Sequence, residues 1–141
     1  MSMDYELLGR VMELILLDEF YDKATVHGTR NSVYCAIQHG KCLTHWSEDK
    51  LIGYCTYGFF TQEELDSRNW DGDEVYRRSE GGVLYFPKFQ CRAGRREVVR
   101  FIRNIQLFLS EQYPDCETGV GLRVYPDRTT RSEKWYRKPS C

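Results

Sequence analysis

Apolar residues recur at helical spacing in two long stretches of the chain. In residues 4–21 an apolar stripe alternates with charged side chains. In residues 97–113 four residues define one apolar face: Val98, Ile102, Ile105 and Leu109. Because side chains three and four residues apart share a face of a helix, both stretches predict amphipathic helices, and Pro114 marks the end of the second.

Shorter apolar runs, bounded by polar or glycine-bearing links, predict strands. A polar link at residues 27–31 follows the first helix, and two later links, QHG and SEDK, are short enough for β-hairpins. The predicted strands are residues 33–37, 41–46, 51–60, 81–90 and 119–126.

A polar region lies between the strands at 51–60 and 81–90. Thr61 and Glu64 form a T-x-x-E capping box, which predicts a short helix ending near Arg68. The charged stretch that follows, residues 67–82, contains the turn signal DGD. We predict that it is the most exposed and mobile part of the middle of the chain, available to a partner or substrate.

Composition restricts the class of protein. With 141 residues, 41% hydrophobic and 29% charged, the chain suits one globular domain with its own core. A net charge of −1 argues against a nucleic-acid partner held by overall attraction to phosphates. No apolar run approaches the ~18 residues of a membrane span, and no secretory signal is seen. Six cysteines without a CxxC pair favour reduced thiols, so we expect a soluble, cytoplasmic protein.

One short span contains zinc-ligand residue types. Cys35, His39, Cys42 and His45 form C-x3-H-x2-C-x2-H, a spacing that matches no common finger or knuckle. On a hairpin, alternation of side chains would not bring all four together, so buried thiols and surface histidines are predicted. The acidic turn at residues 71–74 lacks the later glutamate of a calcium loop. We therefore predict no metal site.

A basic turn, CRAGRR, joins the aromatic strand GGVLYFPKFQ to the second amphipathic helix. A strand that enters a helix through such a turn offers unpaired backbone N–H groups and the positive end of the helix dipole to an anion. The candidate cofactor-binding residues are Gln90, Arg92, Gly94, Arg95 and Arg96. Their basic side chains and the turn backbone would suit a pyrophosphate.

The segment from Gln90 to Arg95 partly resembles the Q/R-x-x-G-x-G/A loop of the general-control-type N-acetyltransferase (GNAT) superfamily, with arginine replacing the second small residue. The text SVYCAIQHGKCLTHWSEDKLIGYCTYGFF, the strand GGVLYFPKFQ and the helix ending in QYPD before GLRVYP resemble the toxin-activating, hemolysin-type lysine acyltransferases. This resemblance covers residues 7–126 by pattern. It implies an α+β, GNAT-like domain whose mostly antiparallel mixed sheet of about six strands has helices on both faces.

The resemblance also implies an activity and a donor. Such enzymes take an acyl group from acyl carrier protein and pass it to a lysine, using a histidine and an aspartate. In this sequence Tyr21 and Tyr85 stand at those places. A direct-transfer acetyltransferase that uses acetyl-coenzyme A needs only an acid and a base. Tyr125 is the candidate acid, and Glu80 or Glu74 the candidate base acting through water.

Two functions therefore stay open. The first is an acyltransferase that binds acyl-coenzyme A or an acyl carrier and acylates an amine, with a protein as substrate or partner. The second is a non-catalytic, GNAT-like interaction or assembly protein within an oligomer or larger complex. Small phage-encoded proteins often resemble this family, which implies a virion or host-targeting role in host cytoplasm.

Residues 1–126 form the predicted domain, and 127–141 an edge strand or docking tail.

Overall fold

The computed structural model describes residues 3–17, 23–67, 73–78, 81–124 and 130–138. Its helices are α1 (Met3–Leu16), α2 (Lys23–Gln38), α3 (Gln62–Asp66), α4 (Asp73–Arg77) and α5 (Arg95–Gln112). Its strands are β1 (Cys42–Ser47), β2 (Lys50–Phe60), β3 (Val83–Cys91), β4 (Thr118–Val124) and β5 (Thr130–Arg137). None of these helices combines the length and apolarity that a membrane span requires.

The strands form one mixed sheet in the order β1-β2-β3-β4-β5. Adjacent strands are antiparallel except β3 and β4, which run parallel because α5 crosses over between them. The predicted α+β class with a mostly antiparallel sheet is confirmed. The described residues contain five strands, against about six predicted, because the run at residues 33–37 is helical.

Helices cover both faces of this sheet. On one face α5 buries Phe101, Ile105 and Leu109 against alternate residues of β2 and β3 and against Tyr136 of β5. On the other face α1 and α2 pack over Leu51 and Tyr54, while α4 joins a smaller cluster. The sheet is thus the middle layer of three, and α1 and α5 lie on opposite sides of it.

The predicted link at residues 27–31 and strand at residues 33–37 are wrong, since both lie within α2. Val33, Ala36 and Ile37 are buried and have the i, i+3, i+4 spacing of a helix face. A five-residue apolar run cannot by itself distinguish a strand from a buried helix face. The QHG link is likewise the end of a helix rather than a hairpin.

Gly40 ends α2. Its φ of +69° lies in the left-handed region, where glycine has no Cβ to clash. The Gly40 N–H donates to Ile37 O at 3.1 Å, and the Lys41 N–H donates to Ala36 O at 2.7 Å. These two bonds form a Schellman motif, which satisfies carbonyls of the last turn and directs the chain into β1.

The prediction of an exposed, mobile segment at residues 67–82 is wrong at α4. Val75 and Tyr76 are buried, and the hydroxyl oxygens of Tyr76 and Ser32 lie 2.7 Å apart. A five-residue helix is too short to be stable alone, so these contacts with α2 and the sheet hold it in place. Residues 68–72, 79 and 80 lie outside the described part of the chain.

The SEDK hairpin and the capping box are confirmed. β1 and β2 pair antiparallel from Ser47↔Lys50 onwards. The Glu64 N–H donates to Thr61 Oγ1 at 3.1 Å, and the Thr61 N–H donates to Glu64 Oε1 at 2.8 Å. Each residue thus satisfies a backbone donor at the start of α3, which the sequence pattern alone could specify.

Candidate functional site

The candidate site lies where β3 ends and α5 begins. β3 and β4, which α5 connects, are parallel neighbours in the sheet, with Tyr85 paired to Val120 and Phe86 paired to Gly121. Pro87 follows directly and has no N–H to donate. On its other edge β3 continues to pair with β2 as far as Cys91. The basic turn therefore begins at the end of a strand held firmly by β2.

Gly94 is the N-cap of α5. It has extended backbone angles and no side chain to bond the first turn, where Glu97 N–H donates to Gly94 O at 3.0 Å. The N–H groups at the start of a helix have no intrahelical acceptor, and the helix dipole is positive there. Arg95 and Arg96 are exposed beside these groups. The arrangement can attract a phosphate or another anion from solvent.

Two of the five candidate binding residues already bond to α1 or to the residue that directly follows it. The Gln90 side-chain amide donates to Leu14 O at 2.8 Å, and the Arg92 guanidinium donates to Leu17 O at 3.4 Å. The Arg92 N–H also donates to Ile52 O at 2.7 Å. These contacts tie the basic turn to the end of α1 and to β2. Arg95 and Arg96 are the cations best placed to move toward a ligand.

Sequence reasoning missed a hydrogen-bonded histidine and carboxylate at this turn. Glu97, in the first turn of α5, lies 2.7 Å from His45 Nε2 and also accepts from Arg100 at 3.1 Å. The buried His45 ring stacks on Phe101 with ring centroids 5.2 Å apart. Glu97 places negative charge at the positive end of the helix dipole. The arginine-rich start of α5 is thus partly balanced by the chain itself.

His45 and Cys91 occupy one row across the sheet, with Gly53 of β2 between them. A Cβ at Gly53 would lie 3.2 Å from both Cys91 Sγ and Phe101 Cδ2, so the glycine leaves room for these two side chains. Burial, and secondly the charge of Glu97, raises the pKa of the Cys91 thiol. The thiol is therefore protonated at neutral pH, which does not suit a thiolate nucleophile.

The hydrogen bond between His45 and Glu97 has an expected effect on the pH dependence of stability. Hydrogen bonding to His45 lowers the pKa of the Glu97 carboxyl, and the nearby Arg100 charge adds to this effect. A carboxyl whose pKa is lower in the folded than in the unfolded state stabilises the fold above the unfolded value of about 4.3. That stabilisation is lost as the pH falls through the folded pKa.

We expect Glu97→Gln to reduce the loss of stability between about pH 5 and about pH 3, measured by urea unfolding at a series of pH values. Glu111→Gln, which changes an exposed carboxylate on the same helix, is the matched control. If the free energy of unfolding of Glu97→Gln falls between about pH 5 and about pH 3 as much as that of the wild type, the contact with His45 contributes nothing to stability.

The basic-turn residues lie together at the start of α5, and of the proposed catalytic residues the structure describes only Tyr85. Tyr85 is buried against Phe60 on the face of the sheet opposite α5. Glu80 and Tyr125, the candidate base and acid, lie outside the described residues, as does Tyr21; nothing is described for the side chain of Glu74. Their roles stay predictions.

The cysteine and histidine quartet is divided between elements. Cys35 belongs to α2 and His39 follows its end, whereas His45 of β1 contacts Glu97 on the α5 face. In the part of the chain that the structure describes, no three histidine, cysteine or acidic residues are grouped so as to hold a metal ion. Five described cysteines are free: Cys35, Cys42, Cys55, Cys91 and Cys116.

No protein-family model matches the chain, and a search of curated proteins gives no significant match.

Proposed function

We propose that this chain is a GNAT-like acyltransferase that binds acyl-coenzyme A, or the phosphopantetheine of an acyl carrier, at the β3–α5 turn and transfers the acyl group to an amine. One observation carries the proposal. β3 and β4 run parallel and are connected by α5. β3 leads into the N-terminus of α5, which has no side-chain cap and lies beside the exposed Arg95 and Arg96. The GNAT pattern uses this place in the crossover for a pyrophosphate.

The recognition chemistry is electrostatic. A pyrophosphate at the start of α5 would accept hydrogen bonds from first-turn N–H groups and pair with Arg95 and Arg96. Arg92 stays bonded to Leu17 O and acts mainly as a fixed positive charge. Glu97 bonds to His45 with one carboxylate oxygen and to Arg100 with the other, so both oxygens already have partners within the chain. The turn therefore combines fixed and movable cations.

The transfer step uses residues on either side of this turn. In the proposed mechanism the acceptor amine loses a proton to Glu80 through water and attacks the thioester carbonyl. The C–S bond then breaks, and the Tyr125 hydroxyl gives its proton to the leaving thiolate. A phenol, with an ordinary pKa of about 10, suits this acid role. Acetyl-coenzyme A and acyl carrier protein are the proposed donors.

Ligand binding is expected to raise thermal stability. Coenzyme A at 100 times its dissociation constant would add about 2.7 kcal/mol to the free energy of unfolding, a rise of several degrees in Tm. We expect the Arg95→Ala/Arg96→Ala variant to lose most of this shift in scanning fluorimetry. Arg10→Ala/Arg30→Ala, which removes two exposed arginines elsewhere, should retain it.

Repeating the Tm measurement with acetyl-coenzyme A distinguishes binding of the nucleotide part from binding of the thioester. Equal shifts with both ligands indicate that the adenosine and pyrophosphate supply the affinity. Absence of any shift at millimolar ligand for the wild type, or equal shifts in both double variants, contradicts the proposed site.

A second candidate is the non-catalytic interaction or assembly protein. The observation that favours it is that the side chains of Gln90 and Arg92 already donate hydrogen bonds to backbone carbonyls at the end of α1. These two candidate coenzyme-binding residues therefore stabilise the fold instead. Such a protein would retain the GNAT-like framework while using its surface to bind a partner. A failed coenzyme experiment combined with self-association or a stable hetero-complex would support this alternative.

A further inference from the structure

The outward face of α5 carries a regular stripe of cations and apolar residues. Arg96, Val99, Arg103 and Leu107 follow one another at spacings of three, four and four residues, which keeps them on one side of a helix. All four are exposed, with Val99 50% and Leu107 49% accessible. The buried face of α5 is the opposite one, where Phe101, Ile105 and Leu109 contact the sheet. This set is called the α5 stripe.

The outward face of α1 has the same spacing with opposite charge. Glu6, Gly9 and Glu13 are exposed on α1, and Leu17, which directly follows it, is 59% accessible. They too are separated by three, four and four residues. This set is called the α1 stripe. The core side of α1 is formed by Leu8, Val11 and Ile15.

Gly9 packs against none of the residues that the structure describes. It lies inside α1, where glycine is less favourable than alanine, and a Cβ at this position would have no atom of the described residues within 4 Å. Its φ is not positive, so the backbone conformation does not require glycine either. A bare helix position of this kind allows another side chain to approach the backbone closely.

We infer that the α1 stripe of one copy docks, in parallel, against the α5 stripe of a second copy. When the two stripes are aligned from N-terminus to N-terminus, opposite charges face each other. The Val99 side chain then lies over Gly9, and the two exposed leucines are in contact. The facing pairs are Glu6 with Arg96, Gly9 with Val99, Glu13 with Arg103, and Leu17 with Leu107. Charge complementarity at equal spacing identifies the occupant as this chain itself, and the inference goes beyond acyl transfer.

The neighbouring charges are compatible with this pairing. Arg10 and Arg100 occupy corresponding positions beside the two stripes, so in a parallel pair they would lie on opposite flanks and would not face each other; Arg100 is also bonded to Glu97 at 3.1 Å. The charge of Arg100 is therefore partly neutralised within its own copy. The apolar residues between the cations favour a helix over a nucleic acid as the occupant, since a phosphate backbone offers Val99 and Leu107 nothing to pack against.

The position of the two stripes sets the symmetry of the assembly. α1 and α5 lie on opposite faces of the sheet, so two copies cannot exchange both contacts at once in a closed two-fold dimer. The contact is heterologous, with each copy offering α5 to one neighbour and α1 to another. It therefore produces head-to-tail oligomers, either closed rings of more than two copies or open chains whose length grows with protein concentration.

Analytical ultracentrifugation of the purified chain tests the inference. At about 0.05 M salt the weight-average mass is expected to rise above the 16.7 kDa of one chain as protein concentration increases. At about 0.5 M salt it should fall back toward 16.7 kDa, because exposed charge pairs are screened. A mass that stays at one chain under both conditions overturns the inference, as does association into a closed dimer only.

Charge reversal makes the test specific to these stripes. Glu13→Arg and Arg103→Glu should each weaken association about tenfold or more, and the double variant should restore it. Mixing the two single variants should also restore association, because each retains the stripe that the other has lost. Glu117→Arg and Lys50→Glu, at exposed positions outside both stripes, make the same changes in net charge and should have no such effect. Failure of the double variant or the mixture to recover refutes the pairing.

Gly9→Gln distinguishes docking from general stability. The side chain enters open space in the single chain and improves helix propensity, so the Tm at high salt should be unchanged or higher. Association should nevertheless weaken, because the glutamine occupies the place of Val99 from the next copy. Unaltered association in this variant would show that Gly9 does not face a partner helix.

Discussion

Leu109→Ala is expected to lower the free energy of unfolding by about 3 to 5 kcal/mol. Leu109 is fully buried in the cluster that joins α5 to β2, β3 and β5, and the surrounding aromatic side chains cannot collapse readily into the space left by the leucine. The corresponding drop in Tm is about 10 °C or more. Urea unfolding followed by circular dichroism measures the change directly.

Leu107→Ala is the matched control, since it makes the same truncation two residues away on the same helix. Leu107 is 49% accessible, so little apolar surface is lost, and we expect a change below about 1 kcal/mol. The comparison is made at high salt, where the α5 stripe has no partner. Similar losses for the two variants would mean that α5 does not present Leu109 to the sheet.

Gly119→Ala is expected to destabilise the fold by about 1 to 3 kcal/mol although it adds only one methyl group. A Cβ at Gly119 would lie 2.8 Å from Phe86 Cε2, 3.1 Å from Leu84 Cδ2 and 3.1 Å from Tyr136 Cβ. These side chains come from β3 and β5, on either side of β4, and all three are buried, so they have little room to shift away from an added methyl group. The strain falls next to the Tyr85↔Val120 pairing of β3 and β4.

Gly9→Ala makes the same chemical change at a position where no atom of the described part of the chain lies within 4 Å of the added Cβ, and it should stabilise the chain by about 0.5 to 1 kcal/mol. The two glycine variants are therefore expected to shift the unfolding midpoint in opposite directions. A neutral or stabilising Gly119→Ala would show that Phe86 does not pack over β4 as described.

The parts of the fold that sequence could predict are those governed by local rules. The 3.6-residue period specifies α1 and α5 because each has one apolar face, over about four turns in α1 and about five in α5. The capping box at Thr61 and Glu64 needs only neighbours in sequence. In α2, by contrast, the buried face includes Thr29 and Ser32, so a polarity scale underestimates its burial.

The candidate site was predictable as a segment and not as a set of contacts. Arg95 and Arg96 lie beside the N-terminus of α5 because strand, turn and helix follow one another along the chain. The partners that decide how this turn behaves come from distant positions: His45 is 52 residues from Glu97, and Leu14 is 76 residues from Gln90. Only the strand register and the placement of α1 bring them together.

The position of α5 in the chain also determines how long apolar surface stays uncovered during synthesis. The ribosome completes β1, β2 and β3 before it makes α5. Cys55, Tyr57 and Phe59 therefore stay exposed until the helix that covers them has been synthesised. Until residue 112 has left the exit tunnel, one side of a nearly finished three-stranded sheet is open to other apolar chains. The interval between strand and helix is thus the period in which the nascent chain most needs protection by a chaperone.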